Sequence, residues 1–193
     1  VWIAGSTHAG EEEIILNAHR QLMVKHPNLI LILAPRRMER VEEVTALLKK
    51  ENFSFTSRSS LGHAESSSVI LLDTMGELAE VYSLGQVAFV GRSLIRPGGG
   101  HSLIEPLSYG LPVLHGPYIE NIRHVAEIAH NQGLVFQVAN PEELEQKVHT
   151  LLKNSSHRLE ISEKAKIFIT QQQGAARKMA DIITQCLSIA KPD

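Results

Sequence analysis

The six residues Leu29-Ile30-Leu31-Ile32-Leu33-Ala34 are apolar at every position. A strand with one wet face alternates polar and apolar side chains. A strand that is apolar throughout is covered on both faces, and such strands belong mainly to parallel sheets. Parallel neighbours need a crossover between them, usually a helix. The chain supplies these crossovers. Short apolar runs at Val1–Gly5, Phe53–Thr56, Val69–Leu72, Val87–Val90, Pro112–Leu114 and Leu134–Val138 predict further strands. Between them lie predicted helices at Glu11–Lys25, Met38–Lys50, Glu77–Ser83, Leu103–Tyr109 and Ile122–Asn131. In the first of these, Ile14, Ile15, Ala18 and Leu22 share one face at spacings of three and four. Asn140-Pro141 opens another helix with a cap residue followed by proline. Glu160–Thr170 and Ala175–Ile189 predict two closing helices divided near Gly174. The alternation specifies an open, doubly wound, Rossmann-like α/β sheet with helices on both faces.

A chain of 193 residues can bury one substantial core, so one domain is expected over residues 1–193. The net charge of −2 argues against a general nucleic-acid binder, so any anion site must be built locally. Cys186 is the single cysteine, which removes an internal disulfide and a cysteine-based zinc site and suits a reducing compartment. No apolar run approaches the ~20 residues that cross a bilayer. Val1-Trp2-Ile3-Ala4 already reads as a strand with no signal peptide before it, as expected of a piece of a longer chain. The aspartates are Asp73, Asp181 and Asp193, so no pair at a two-residue spacing is present to hold a divalent metal.

Ligands on doubly wound sheets bind at the carboxyl ends of the strands, which directs attention to the strand-end loops. Pro97-Gly98-Gly99-Gly100-His101-Ser102 follows the Val87–Val90 strand and precedes a helix. Glycines there permit positive φ and leave N–H groups uncovered, which suits a phosphate. His101 reads either as a ligand donor or as a residue bonded to the loop backbone. Ser102-x-x-Glu105 has the form of a capping box, but Pro106 at the fourth helical position would lack a needed N–H. A helix beginning at Pro106 is more economical and turns Glu105 toward the cleft, where it would accept two ribose hydroxyls. Gly5-Ser6-Thr7-His8-Ala9-Gly10-Glu11-Glu12-Glu13 joins the first strand to its helix. Ser6 or Thr7 reads as the helix cap, or as a contact to a sugar or phosphate, while the acidic triplet suits the helix dipole and repels phosphate. Arg36, nearest the end of the second strand, is preferred over Arg40 as an anion ligand. Gly76 lets a base or phosphate approach the Met75–Leu78 amides, and Glu77 reads as a first-turn carboxylate. Asn121 reads as the cap of the next helix and a second-choice ligand.

Together these residues are similar to the C-terminal domain of the 3-deoxy-D-manno-octulosonic acid (Kdo) transferases of lipopolysaccharide biosynthesis. The matching pieces are Gly5-Ser6-Thr7-His8 with Gly10-Glu11-Glu12, Pro35-Arg36 with Glu39-Arg40, Leu72 through Leu78, Phe89-Val90-Gly91, Gly99-Gly100-His101 with Glu105-Pro106, Gly110-x-Pro112-Val113, and Gly116-Pro117 with Asn121. They stand in family order over about the first 120 residues. The family usually has Asn where Ser102 stands, His where Tyr118 and Arg37 stand, and commonly Gly where Arg92 stands.

The resemblance implies a GT-B glycosyltransferase, inverting and independent of metal and cofactor. Its C-terminal half would bind CMP-Kdo. Its N-terminal half, outside this chain, would carry a membrane-associating segment, the lipid A precursor site and the catalytic base. The protein would then work at the cytoplasmic face of the bacterial inner membrane. The chain would be the donor-binding domain, inactive alone, with helices from about residue 156 directed toward the other half. Glu105 would hold the ribose. Met75, Gly76, Glu77, Leu78, Gly99 and Gly100 would contact the nucleotide, and Arg36 its anionic groups. His101, Ser102, Ser6, Thr7 and Asn121 would complete the site. Two other readings fit the residues: a GT-B transferase or epimerase domain using a UDP- or GDP-sugar, and a nucleotide-binding module without chemistry.

Overall fold

The computed structural model describes residues 1–63 and 67–189. Seven strands form one parallel sheet: β1 (Trp2–Thr7), β2 (Leu31–Pro35), β3 (Phe55–Ser57), β4 (Val69–Leu71), β5 (Val87–Val90), β6 (Val113–His115) and β7 (Val135–Gln137). Their spatial order is β3-β4-β2-β1-β5-β6-β7. All seven predicted strands are present, displaced by at most a few residues; the central ones are apolar runs covered on both faces, while the edge strands β3 and β7 are only partly buried. Trp2, Ile3, Leu31, Leu33, Val69, Leu71, Val87, Phe89, Val113 and Leu114 are fully buried.

The chain builds the sheet outward from β1 in one direction and then returns to lay β5 against the other side of β1. The two strands run in register from Trp2↔Val87 to Gly5↔Val90. A crevice forms beyond the carboxyl ends at such a reversal. The loops at the crevice lead into α1 (Glu11–Lys25) from β1 and into α4 (Ile104–Ser108) from β5. The neighbouring helices are α2 (Val41–Lys50) after β2 and α3 (Leu78–Val81) after β4. Beyond them come α5 (Arg123–Asn131), α6 (Pro141–Lys153) and α7 (Ser155–Ile189). α6 packs on α1, and α7 packs on α4 and α6.

Several local expectations change. α7 is one continuous helix, not two divided at Gly174. A single interior glycine costs about 1 kcal/mol relative to alanine and need not break a helix. α4 begins at Ile104, two residues before Pro106, with Leu103 at its N-cap. Proline then occupies the third helical position, where its missing N–H is one the helix would leave unpaired anyway. Neither Ser6 nor Thr7 caps α1; Gly10 does, at φ 83° and without a side-chain bond. Asn121 caps nothing: Ile122 is the N-cap of α5. At α6 the expected cap is in place, with Asn140 accepting the Glu143 N–H at 2.8 Å.

Candidate functional site

The crevice is held together by a buried carboxylate. Glu11 is 1% exposed. Its Oε2 accepts the N–H groups of His8 at 2.9 Å and Arg92 at 2.7 Å, and its Oε1 those of Ser93 at 2.8 Å and Leu94 at 2.9 Å. The loop after β1 is thereby tied to the loop after β5, and Arg92 is held at φ 59°. Glu12 is equally buried, between the Thr7 hydroxyl at 2.8 Å and the Arg40 guanidinium at 2.6 Å. Of the triplet read as helix-dipole charge facing an incoming phosphate, two members are therefore interior struts. Thr7, fully buried with its hydroxyl bonded to Glu12, is a third internal member and does not face a ligand.

The glycine loop also differs from expectation. The Gly99 N–H donates to the Tyr118 carbonyl at 3.0 Å, Gly100 to Arg92 at 2.8 Å, and His101 to Gly91 at 3.3 Å. These amides are engaged by carbonyls of their own loop and of the loop after β6. The glycines serve backbone shape instead. Gly99 takes φ 124°, and a Cβ there would lie 2.4 Å from Asn121 Nδ2. The Asn121 N–H in turn donates to the Gly99 carbonyl at 2.9 Å, so Asn121 belongs to the loop's own framework. Ser102 is exposed, and its hydroxyl accepts the Ile104 N–H at 3.3 Å.

Beside β1, Ser6, Pro35, Arg36, Thr74, Met75 and Leu78 line a cleft of about 260 Å³. Here the free groups converge. The Met75, Gly76, Glu77 and Leu78 N–H groups donate to no acceptor among the described residues. Gly76 takes φ 83°, and a Cβ on it would meet nothing within 4 Å, so its surface is open. The Arg36 side chain is exposed and has no acidic partner among the described residues, whereas Arg40 is bound to Glu12 and Glu43. The Glu77 carboxylate accepts the Thr74 hydroxyl and the Arg58 guanidinium, so Glu77 offers its N–H rather than its charge.

The Glu105 charge is felt at Tyr82, which packs behind the cleft. A Cβ on Gly5 would lie 2.1 Å from the Tyr82 hydroxyl and 3.3 Å from Leu78, so β1, Tyr82 and the Leu78 turn meet there. Burial raises the Tyr82 hydroxyl pKa, and the nearby Glu105 charge raises it further. The Glu105 carboxylate itself is exposed and bonds to no described residue. It does not reach back to the Ser102 N–H, so no capping box forms.

Across the crevice, His8 and His101 stack with ring centroids 5.2 Å apart and Nε2 atoms 2.9 Å apart. On that side, Arg92, Arg96, Gly98, Glu120 and Asn121 line a second, wider basin. The His pair and the Glu11 struts were not identified from sequence as such. Among the described residues, no three His, Cys, Asp or Glu side chains come together as a metal site requires.

Residues 2–168 match the family model of glycosyl transferases group 1. A 3-deoxy-D-manno-octulosonic acid transferase of Haemophilus influenzae is 39% identical over 95% of this chain and 43% of its own length. One from Aquifex aeolicus is 37% identical over 78% of this chain and 41% of its own. The chain thus spans less than half the length of these relatives. The crystal structure of the C-terminal CMP-Kdo binding domain of WaaA from Acinetobacter baumannii superposes with a TM-score of 0.82 at 31% identity, covering 88% of each chain.

Proposed function

Because the chain belongs to the group 1 glycosyl transferases, and among them to the C-terminal domains of the Kdo transferases, we propose that it is the donor-binding half of an enzyme transferring Kdo from CMP-Kdo to a lipid A precursor. The observation that carries this reading is the strand-end cleft at which the Arg36 guanidinium and the Met75–Leu78 amides have no partner among the described residues, together with the Glu105 carboxylate, likewise unpartnered among them, on the helix after the glycine loop. Their chemistry matches a nucleoside monophosphate. A carboxylate accepts two ribose hydroxyls, a guanidinium forks a phosphate, and open main-chain N–H groups take a base edge or phosphate oxygen.

In the transfer, an acceptor hydroxyl attacks the anomeric carbon of Kdo, the bond from that carbon to the phosphate oxygen breaks, and CMP departs. The domain's share is to fix the donor's orientation and to meet the negative charge gathering on the phosphate with Arg36 and the neighbouring amides. In this reading the general base and the lipid A precursor site lie in an N-terminal half of the enzyme. The isolated domain therefore binds donor without turning it over. The reading includes inversion at the anomeric carbon, phosphate charge met by these side chains rather than a divalent ion, and action at the inner membrane. Among the described residues, no helix is long and apolar enough to cross a membrane.

Calorimetric titration with CMP, UMP and GMP tests the assignment. CMP is expected to bind most tightly. A preference for UMP or GMP would move the domain to a different donor class.

A further inference from the structure

The His8–His101 pair joins the loops after β1 and β5. His8 comes from the loop after β1 and His101 from the loop after β5. The 2.9 Å separation of their Nε2 atoms is that of a hydrogen bond. One imidazole must then carry Nε2–H, and the other must present its Nε2 lone pair. The donating ring keeps an unprotonated Nδ1. A proton added there yields an imidazolium donating to a neutral imidazole, and the inter-ring bond survives and strengthens. A second proton would place N–H against N–H and break it. The pair is therefore built to accept one proton and to resist two.

What keeps that proton off is the surroundings. Burial lowers both imidazoles, His101 to about 4. His101 is also lowered by His8, Arg36 and Arg92. For His8, Glu11 favours the charged form, while Arg92, Arg40 and Arg37 oppose it. Glu11 is committed to four amides and Arg40 to Glu12 and Glu43. Arg36, Arg37 and Arg92 have no acidic partner among the described residues. The free guanidinium groups that repel a proton from the pair are thus the ones available to an incoming anion. An anion that engages them cancels their field and brings its own negative charge to the same place.

We propose that the His8–His101 pair is a proton-uptake element: binding of a phosphate-bearing nucleotide in the crevice is coupled to the gain of one proton shared by the two imidazoles. The cationic pair then faces the phosphate and would offset its charge as the nucleotide departs. This rests on the nucleotide reading above and adds to it a thermodynamic link between donor binding and protonation. By reciprocity, the same proton tightens nucleotide binding.

The test is an NMR pH titration of the His8 and His101 ring signals, alone, with saturating CMP and with saturating cytidine, which lacks the phosphate. A unit negative charge a few ångströms away at the effective dielectric of a protein surface shifts an imidazole by roughly one to two pH units. With CMP, one titration midpoint of the pair is expected to rise by about that much, and with cytidine to stay within a few tenths. His101→Gln should lower the bound-state midpoint of His8 and weaken the pH dependence of CMP affinity, because the imidazolium loses the neutral ring that accepts its Nε2–H, and His8→Gln should do the same at His101. If CMP binds and the wild-type midpoints do not move, the proton-uptake inference is overturned while the nucleotide reading stands. If CMP does not bind at all, both are overturned.

Discussion

Glu11 and Glu105 carry the same carboxylate in opposite circumstances. Glu11 is buried and holds four backbone N–H groups from two loops. Removing a partner from buried donors leaves each with a desolvation cost of about 1 kcal/mol or more. Glu11→Ala is therefore expected to destabilise the domain by about 3 kcal/mol or more in urea unfolding, with Glu11→Gln intermediate. Glu105 is exposed and bonds to nothing described. Glu105→Ala should leave stability within about 0.5 kcal/mol. It should weaken CMP roughly 10- to 100-fold by calorimetry, the range for lost hydrogen bonds to a charged group. Sequence reading saw in Glu11 only a first-turn helix charge. Its partners, Arg92 to Leu94, lie about eighty residues away along the chain, and only the β1–β5 pairing brings them near. Arg36 is preferred over Arg40 in the sequence only for its nearness to the end of β2; that Arg40 is engaged by Glu12 as well as by the nearby Glu43 takes the fold to see. The inward turn of Thr7 is not legible, because it follows a register shift between Gly5 and Thr7 with Ser6 at φ 56°.

At the scale of elements, the strands were legible and the loop chemistry was not. A run such as Leu29–Ala34 has one low-energy fate. A run of glycines has several, since the freedom that admits a ligand also lets the amides close on neighbouring carbonyls, as Gly99 and Gly100 do. Gly99→Ala places a side chain at φ 124° and against Asn121. Strain of this kind costs about 1–3 kcal/mol, so thermal unfolding should shift downward accordingly. A second element-scale device joins β1, α1 and the segment before β4. The Trp2 indole N–H donates to His19 Nδ1 at 3.2 Å, and His19 Nε2 donates to the Ser68 carbonyl at 3.1 Å. The bond from Trp2 needs an unprotonated Nδ1 and so a neutral ring, whereas the Nε2–H bond to the Ser68 carbonyl is kept in either state. Burial lowers His19 from 6.5 to about 4, against the pull of the Ser68 carbonyl. The unfolded chain then binds more protons in that window, so stability is full above pH 6.5 and falls as pH drops toward 4. The loss amounts to about 3 kcal/mol at pH 4. Urea midpoints measured from pH 7 to 4 check this, and His19→Gln should flatten the slope.

At the scale of the whole molecule, the sheet reversal between β1 and β5 gathers segments that are distant in sequence. Ser6, Arg36 and the Met75–Leu78 turn line one cleft. Doubly wound architecture could be read from alternation alone, and with it the strand ends beyond which a crevice forms. The division of labour among those groups required the fold, because it depends on which carbonyls and carboxylates are already engaged. The central claim is that the free groups of the cleft, rather than the glycine amides, hold the nucleotide. A crystal structure of the domain soaked in CMP tests it most directly. The ribose hydroxyls are expected on Glu105, the phosphate within reach of Arg36, and the Gly99–Tyr118 and Gly100–Arg92 bonds intact. CMP seated instead in the basin between Arg96 and Asn121, or a glycine loop opened to grip the phosphate, would contradict the account.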